Sequence, residues 1–159
     1  MSAVADIALE SFVLLRVGER RFALRAEHIV ELIAPSRVFR FPNHTPELEG
    51  VILRRGRIIP VCDVSESLVG KKMTLRRFYL IAIRRFGTQK ESIAIPVSGD
   101  CELINAEMTP RSESDSPHVG GWLSHGGDVI EILQLEALTP GPPPARTAPA
   151  AYANAEVRA

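Results

Sequence analysis

The side chains best suited to chemistry in this sequence are four histidines, His28, His44, His118 and His125, and two cysteines, Cys62 and Cys101. A zinc site needs such ligands at close spacing, as Cys-x-x-Cys pairs or as histidines one helical turn apart. None of the six stands in that arrangement, so no metal site is expected. Acid–base and nucleophilic chemistry find no better support: there is no Gly-x-Ser-x-Gly elbow, no glycine-rich phosphate loop after a strand pattern, and no pair of carboxylates set apart as acid and base. The sequence predicts no catalytic residue, no cofactor and no enzyme. A single disulfide would be unusual in a reducing compartment, so both cysteines are read as buried thiols.

What remains is the chemistry of recognition. Arg54-Arg55-Gly56-Arg57 places three guanidinium groups on one tight turn. An arginine on a turn ordinarily serves solubility, but its planar, multi-donor head also suits protein interfaces. The same turn in a second part of the chain reads His125-Gly126-Gly127-Asp128, so only one copy is basic. That asymmetry makes Arg55 a candidate contact, with Arg54 beside it. Apolar residues around Glu31, namely Ile29, Val30 and Leu32, together with Val51 and Ile52, are expected to form one apolar surface near a seam between subdomains.

The elements that must position these groups are short. Runs rich in Val, Ile, Leu and Phe alternate with turn signals, which predicts strands at residues 11–17, 21–25, 38–41, 50–54, 57–62, 78–84, 92–97, 101–105, 121–124 and 128–132. Residues 27–33 fit either a helical turn or a strand. Ile58 is expected to point into the core. Pro60 and Pro96 interrupt apolar runs and so predict edge strands or bulges. Asp63-Val64-Ser65-Glu66 fits the start of a helix ending before Gly70, with Asp63 accepting from an early backbone N–H and Glu66 reaching back to the cap.

An internal repeat organises these strands. Gly50-Val51-Ile52, then Gly56, then Ile58 to Val64 aligns without a gap on Gly121-Trp122-Leu123, then Gly127, then Val129 to Leu135, an offset of 121 − 50 = 71 residues. A strand–turn–strand unit occurring once in each half predicts two related small β-barrels, each with too little core to stand alone, packed on a shared interface. Residues 1–10 are expected to be a flexible N-terminus, residues 106–119 a mobile polar loop, and the Pro- and Ala-rich residues 140–159 a disordered tail.

Composition narrows the function classes. A formal net charge of +0 and an aromatic content of 6% argue against a basic groove with stacking platforms, so nucleic-acid binding by a small barrel is the weaker alternative. The apolar stretches are broken by Arg, Pro or Gly within about ten residues, too soon for a membrane-spanning helix. With no basic, apolar leader, the default location is the cytoplasm.

The chain resembles the CheW-like family over residues 11–139. The segment from Gly50 to Val64, Gly-Val-Ile-Leu-Arg-Arg-Gly-Arg-Ile-Ile-Pro-Val-Cys-Asp-Val, is similar to the family's Gly-Val-Ile-Asn-Leu-Arg-Gly-x-Ile-Ile-Pro-Val-Ile-Asp-Leu signature. Ile29-Val30-Glu31-Leu32 resembles its Val-x-Glu-Val stretch, and Pro42 to Pro46 its Pro-containing approach. The resemblance implies an all-β fold of two packed five-stranded SH3-like barrels, and a non-enzymatic chemotaxis adaptor linking a methyl-accepting chemoreceptor-type protein to a CheA-type histidine kinase. Recruitment to membrane-associated receptor arrays, without insertion into the membrane, is implied as well. On it, Gly50, Arg55 and Gly56 match the signature, while Ile29, Glu31 and Val51 match positions lining or supporting a groove for the receptor. Leu53 and Arg54 depart from the signature, where it has Asn and Leu, Ser98 and Asp100 fall where the family's second barrel has Asp and Val, and Gln134 replaces a late Asp. These departures suit a divergent member serving pilus control or surface motility with altered partners.

Overall fold

The structure, a computed structural model, describes residues 8–40 and 48–139. The expected disordered tail lies outside the described residues, as do residues 1–7, His44 and the Pro42 to Pro46 approach. Twelve strands and three short helices make up the described chain. In order they are β1 (Glu10–Val17), β2 (Arg20–Arg25), a 3-10 turn (Ala26–His28), β3 (Ile29–Ile33), β4 (Phe39–Arg40), β5 (Leu48–Arg54) and β6 (Arg57–Cys62). Helix α1 (Ser65–Val69) is followed by β7 (Phe78–Phe86), β8 (Gln89–Val97), β9 (Glu102–Ala106), β10 (Thr109–Pro110), β11 (Val119–His125), β12 (Asp128–Leu133) and α2 (Leu135–Leu138). The segment that fits helix or strand is thus both in turn: Ala26–His28 makes one 3-10 turn, and the β-branched residues that follow enter β3.

The strands form two sheets. A central sheet runs β3-β7-β8-β6-β5-β4, and a terminal sheet, built from both ends of the chain, runs β10-β11-β12-β2-β1-β9. Each has six strands where the resemblance implies five; the additional member is only two residues long in each case, β4 or β10. The 71-residue repeat governs the register throughout. Gly50 faces Val61 as Gly121 faces Ile132, and Arg54 faces Arg57 as His125 faces Asp128. The parallel contact Val61 to Ala94 is matched by Ile132 to Ala23, where 132 − 61 and 94 − 23 both equal 71. Hairpin β1–β2 is therefore the counterpart of β7–β8. It comes first in the chain yet completes the second copy, so the two sheets do not correspond to the two halves of the sequence.

Packing explains why neither copy stands alone. The terminal sheet encloses Phe12, Leu14, Ala23, Leu123, Ile130 and Ile132, and the central sheet encloses Ile52, Ile59, Val61, Tyr79, Ile81 and Ala94. The largest cluster lies between them, where Leu15, Phe22 and Leu24 meet Leu80, Ile93 and Ile95, with Leu68 of α1 and Leu135 and Leu138 of α2 closing the ends. Strands β1, β2, β7 and β8 supply both faces to buried clusters, which is why their sequences read as nearly continuous apolar runs.

Several local expectations are corrected. Strands β6 and β8 are interior, although each carries a proline. They pair with each other only around Val61 and Ala94, while Pro60 stands opposite Val51 and Pro96 opposite Tyr79 in the antiparallel ladders on their other sides. Ile58 is 68% exposed, while Ile59 and Val61 face inward. Within an unbroken apolar run, alternation could not say which residue turns in. The loop over residues 106–119 is pinned: Arg111 donates to the carbonyls of Val119 (2.8 Å) and Asp115 (3.0 Å), and Trp122 Nε1 donates to Asp115 Oδ2 at 3.0 Å. Those bonds from Trp122 and Ser112 hold the Asp115 carboxyl below its ordinary range against the opposing effect of desolvation.

At the start of α1, Asp63 Oδ1 accepts from the Ser65 N–H (2.9 Å) as expected, whereas Glu66 is exposed and not part of a capping box. Asp63 is spent on more than a cap. Its other oxygen, with the Glu49 carboxylate, receives Arg76, which also donates to Tyr79 Oη, so one half-buried guanidinium neutralises two buried acids.

Candidate docking surface

The β5–β6 hairpin ends in a two-residue turn with Arg55 at φ 53° and Gly56 at φ 75°, both in the left-handed region that a type I′ turn requires. Arg55 is the one residue other than glycine with positive φ among the described residues, and its counterpart is Gly126 at φ 59°. A left-handed conformation costs an L-residue on the order of 1–2 kcal/mol. Stability alone favours glycine at both turns, so the arginine in the first copy carries a local conformational cost.

Glu31 sits beside this turn. Although β3 and β5 are separated by three strands in the sheet order, Arg54 Nη2 lies 2.8 Å from Glu31 Oε1 and its Nε 3.3 Å from Oε2. The central sheet is curled until these two strands meet, and the bidentate pair bridges the seam. Hydrogen bonding from Arg54 holds the Glu31 carboxyl below its ordinary range against desolvation, with the charges of Arg54 and Arg55 assisting. Arg55 Nη2 stands 3.8 Å away, its side chain 74% exposed. Arg54, the departure from the signature, has taken the close contact with Glu31 and leaves the signature arginine free to face outward. The terminal sheet repeats the plan in weaker form, with His125 Nε2 3.9 Å from Glu102 Oε2; 125 − 54 and 102 − 31 both equal 71.

Around the arginines lies exposed apolar surface. Leu53 and Ile58 are cross-strand neighbours, 58% and 68% exposed, and Phe39 faces Val51 from β4. Val30 and Leu32 add apolar side chains on β3. Aromatic and arginine side chains are thus grouped with aliphatic ones, a composition shared with the cores of protein interfaces. No cluster of three or more His, Cys, Asp or Glu fit for a metal occurs among the described residues.

The structure sorts the sequence candidates. Glu31, Arg54 and Arg55 converge, and Val51 lies half-buried beside them. Ile29, partly buried, packs against the core between the sheets, and Ile52 is wholly buried, so the expected single apolar surface is divided between core and exterior. Gly50 lies beneath β4, where a Cβ would collide with the Phe39 carbonyl oxygen. Gly56 meets open space and serves the turn by its conformation alone. Sequence reasoning missed Leu53, Ile58 and Phe39 as surface residues. It also missed the Glu31–Arg54 bridge, whose signal was the substitution of arginine for the signature's leucine.

Comparison with known proteins accords with this geometry. The structure matches fifteen solved chains, among them the scaffolding protein TtCheW from Thermoanaerobacter tengcongensis, with a TM-score of 0.68 at 22% sequence identity, covering 80% of this chain and 86% of that one. At that identity the likeness speaks for the fold. Sequence comparison with curated proteins gives no match. Residues 11–139 match the CheW-like domain. With repeat, fold and family match all in accord, the chain belongs to the CheW-like family, whose members are non-enzymatic scaffold proteins in chemotaxis.

Proposed function

We propose that this chain is an adaptor that holds a chemoreceptor-type protein and a CheA-type histidine kinase in a fixed relation, and that it acts in the cytoplasm at membrane-associated receptor arrays. The observation that carries this reading is the arginine turn at Arg55, strained, exposed and braced by the Glu31–Arg54 bridge, set among Leu53, Ile58 and Phe39. No helix among the described residues is long and apolar enough to cross a membrane. A rigid adaptor signals geometrically: small shifts at its interfaces bias the activity of what it holds.

The test is binding of the purified chain to the receptor and the kinase encoded in the same genome, measured by calorimetry. Wild-type chain binds both. Arg55→Glu weakens at least one association by tenfold or more, about 1.4 kcal/mol, with the melting temperature within a degree or so of wild type because a turn tip contributes little to packing. Retention of neither protein would end the adaptor reading. The Arg54 departure favours a second reading, in which the receptor partner is that of a pilus or surface-motility system, and calorimetry against that receptor separates the two.

A further inference from the structure

The 71-residue repeat duplicates a cleft. Where β6 leaves β8, an opening of about 540 Å³ is lined by Val51, Ile58 and Pro60 together with Arg57, Glu91 and Ser92, and a second cation, Lys90, stands at its edge on β8. Where β12 leaves β2, an opening of about 530 Å³ is lined by the residues 71 positions away: Trp122, Val129 and Glu131 from the hairpin with Asp128, and Arg20 and Arg21 from β2. The two clefts share one backbone and differ in charge. In the second, ion pairs of the chain itself span the opening, Arg20 to Glu131 at 3.2 Å and Arg21 to Asp128 at 2.9 Å. In the first, those positions hold Glu91 with Pro60, and Ser92 with Arg57, and no ion pair crosses. Glu91 is drawn away to Arg84 on the neighbouring strand. Arg57 makes no hydrogen bond or ion pair with any described residue, and Ile58 beside it is 68% exposed.

The duplicate thus shows which chemistry satisfies this cleft: carboxylates meeting cations over an apolar floor. We propose that the first cleft receives a segment of a protein partner bearing a carboxylate next to an apolar side chain, the carboxylate pairing with Arg57 and the apolar group resting on Val51, Ile58 and Pro60. This deepens the adaptor reading and rests on it only in requiring a protein partner. The second cleft, bridged internally, takes no such segment.

The test uses the full chain with labelled Ile, Leu and Val methyl groups and two synthetic peptides of equal apolar content, Glu-Val-Asp-Ile-Glu-Val and Lys-Val-Lys-Ile-Lys-Val, both blocked at their ends. The acidic peptide moves the methyl resonances of Val51, Ile58 and Ile59 along a saturable curve, at least tenfold more tightly than the basic one, and leaves Val129 and Ile130 unmoved. Arg57→Asp abolishes the shifts without lowering the melting temperature. The triple variant Arg20→Glu, Arg21→Ser and Asp128→Arg, which removes both internal bridges of the second cleft and places arginine where the first has Arg57, acquires shifts at Val129 and Ile130. Equal binding of both peptides, equal shifts in both clefts, or no shift at millimolar peptide, about the weakest affinity worth calling specific, overturns the proposal. If the peptide fails while the chain still binds receptor and kinase, the cleft inference is lost and the adaptor reading stands. If the peptide binds at the first cleft and neither protein does, the reverse holds.

Discussion

The two copies of the repeat share register, bulge and turn, yet they place their charges at different depths. In the first copy the carboxylates of Glu49 and Asp63 are buried and gathered on Arg76, and in the outer cleft Arg57 pairs with no described residue. In the second copy the positions of Glu49 and Asp63 hold Gly120 and Gln134, and acidic residues lie outside, where they clamp the cleft. A duplicated backbone therefore tolerates one copy organised for its own stability at the surface and another organised around an open surface with its stabilising charges beneath. The difference between an open charged face and an internally bridged one lies here in a few side chains, not in the fold.

The comparison breaks most readily at the buried network. Arg76→Met leaves Asp63 buried without its cation and Glu49 with only the more distant Arg40, 3.8 Å away, and the expected loss is about 3–5 kcal/mol by denaturant titration. Gln134→Ala in the second copy, with no buried ion to strand, stays within about 1 kcal/mol. Similar losses from both would mean that Arg76 is not the keystone of the first copy.

Next in size is the close approach of the two-residue strands. Gly50→Ala drives a Cβ into the Phe39 backbone and should cost roughly 1–3 kcal/mol as β4 is pushed off. Gly121→Ala, whose Cβ would lie 2.9 Å from the Thr109 carbonyl oxygen, should behave alike at β10. A neutral result at either would show that the short strand moves aside freely.

The turns give a smaller effect of opposite sign. Arg55→Gly relieves a left-handed residue and should stabilise by up to about 1 kcal/mol while weakening partner binding; Gly126→Arg should destabilise by a similar amount. Improved stability with unchanged binding would remove the reason for retaining arginine. The smallest expected change is that of Ile58→Ala, within about 0.5 kcal/mol in thermal unfolding because the side chain is exposed, in contrast to Ile52→Ala, at about 2–5 kcal/mol from the core of the same sheet.

The acid side follows from Glu31. Its carboxyl titrates below the ordinary range, so the stabilisation from its bridge to Arg54 is complete above the unfolded value of about 4.3 and fades as pH falls through the lower folded value. Glu31→Gln should flatten that limb of the pH–stability curve.

Much of this was legible in the sequence. Short β-rich runs and the 71-residue offset disclosed the class of fold and the existence of two related units, and the basic turn marked the surface that the structure leaves open. Other features depend on where the chain goes. Ile58 and Ile59 are equivalent by composition, and only the pleat of β6 decides that the second turns inward. Residues 106–119 are polar enough to be read as mobile, but Arg111 and Trp122 reach across the loop and tie it down. The bridge from Glu31 to Arg54 spans 23 residues and exists only because the sheet curls. That β1–β2 belongs with β9–β12 could not be read from a repeat whose hairpins share so few residues.

This last arrangement has a consequence for synthesis. As the chain leaves the ribosome, the strands of the central sheet emerge in succession and can pair as they appear, whereas β1 and β2, made before them, have to wait for β9 and β12 before their sheet exists. Until then Phe12, Leu14 and Ala23 lack the partners that cover them. The nascent protein thus carries an unfinished edge while β3 to β8 are made, and the arrival of β9 to β12 determines when it is sealed.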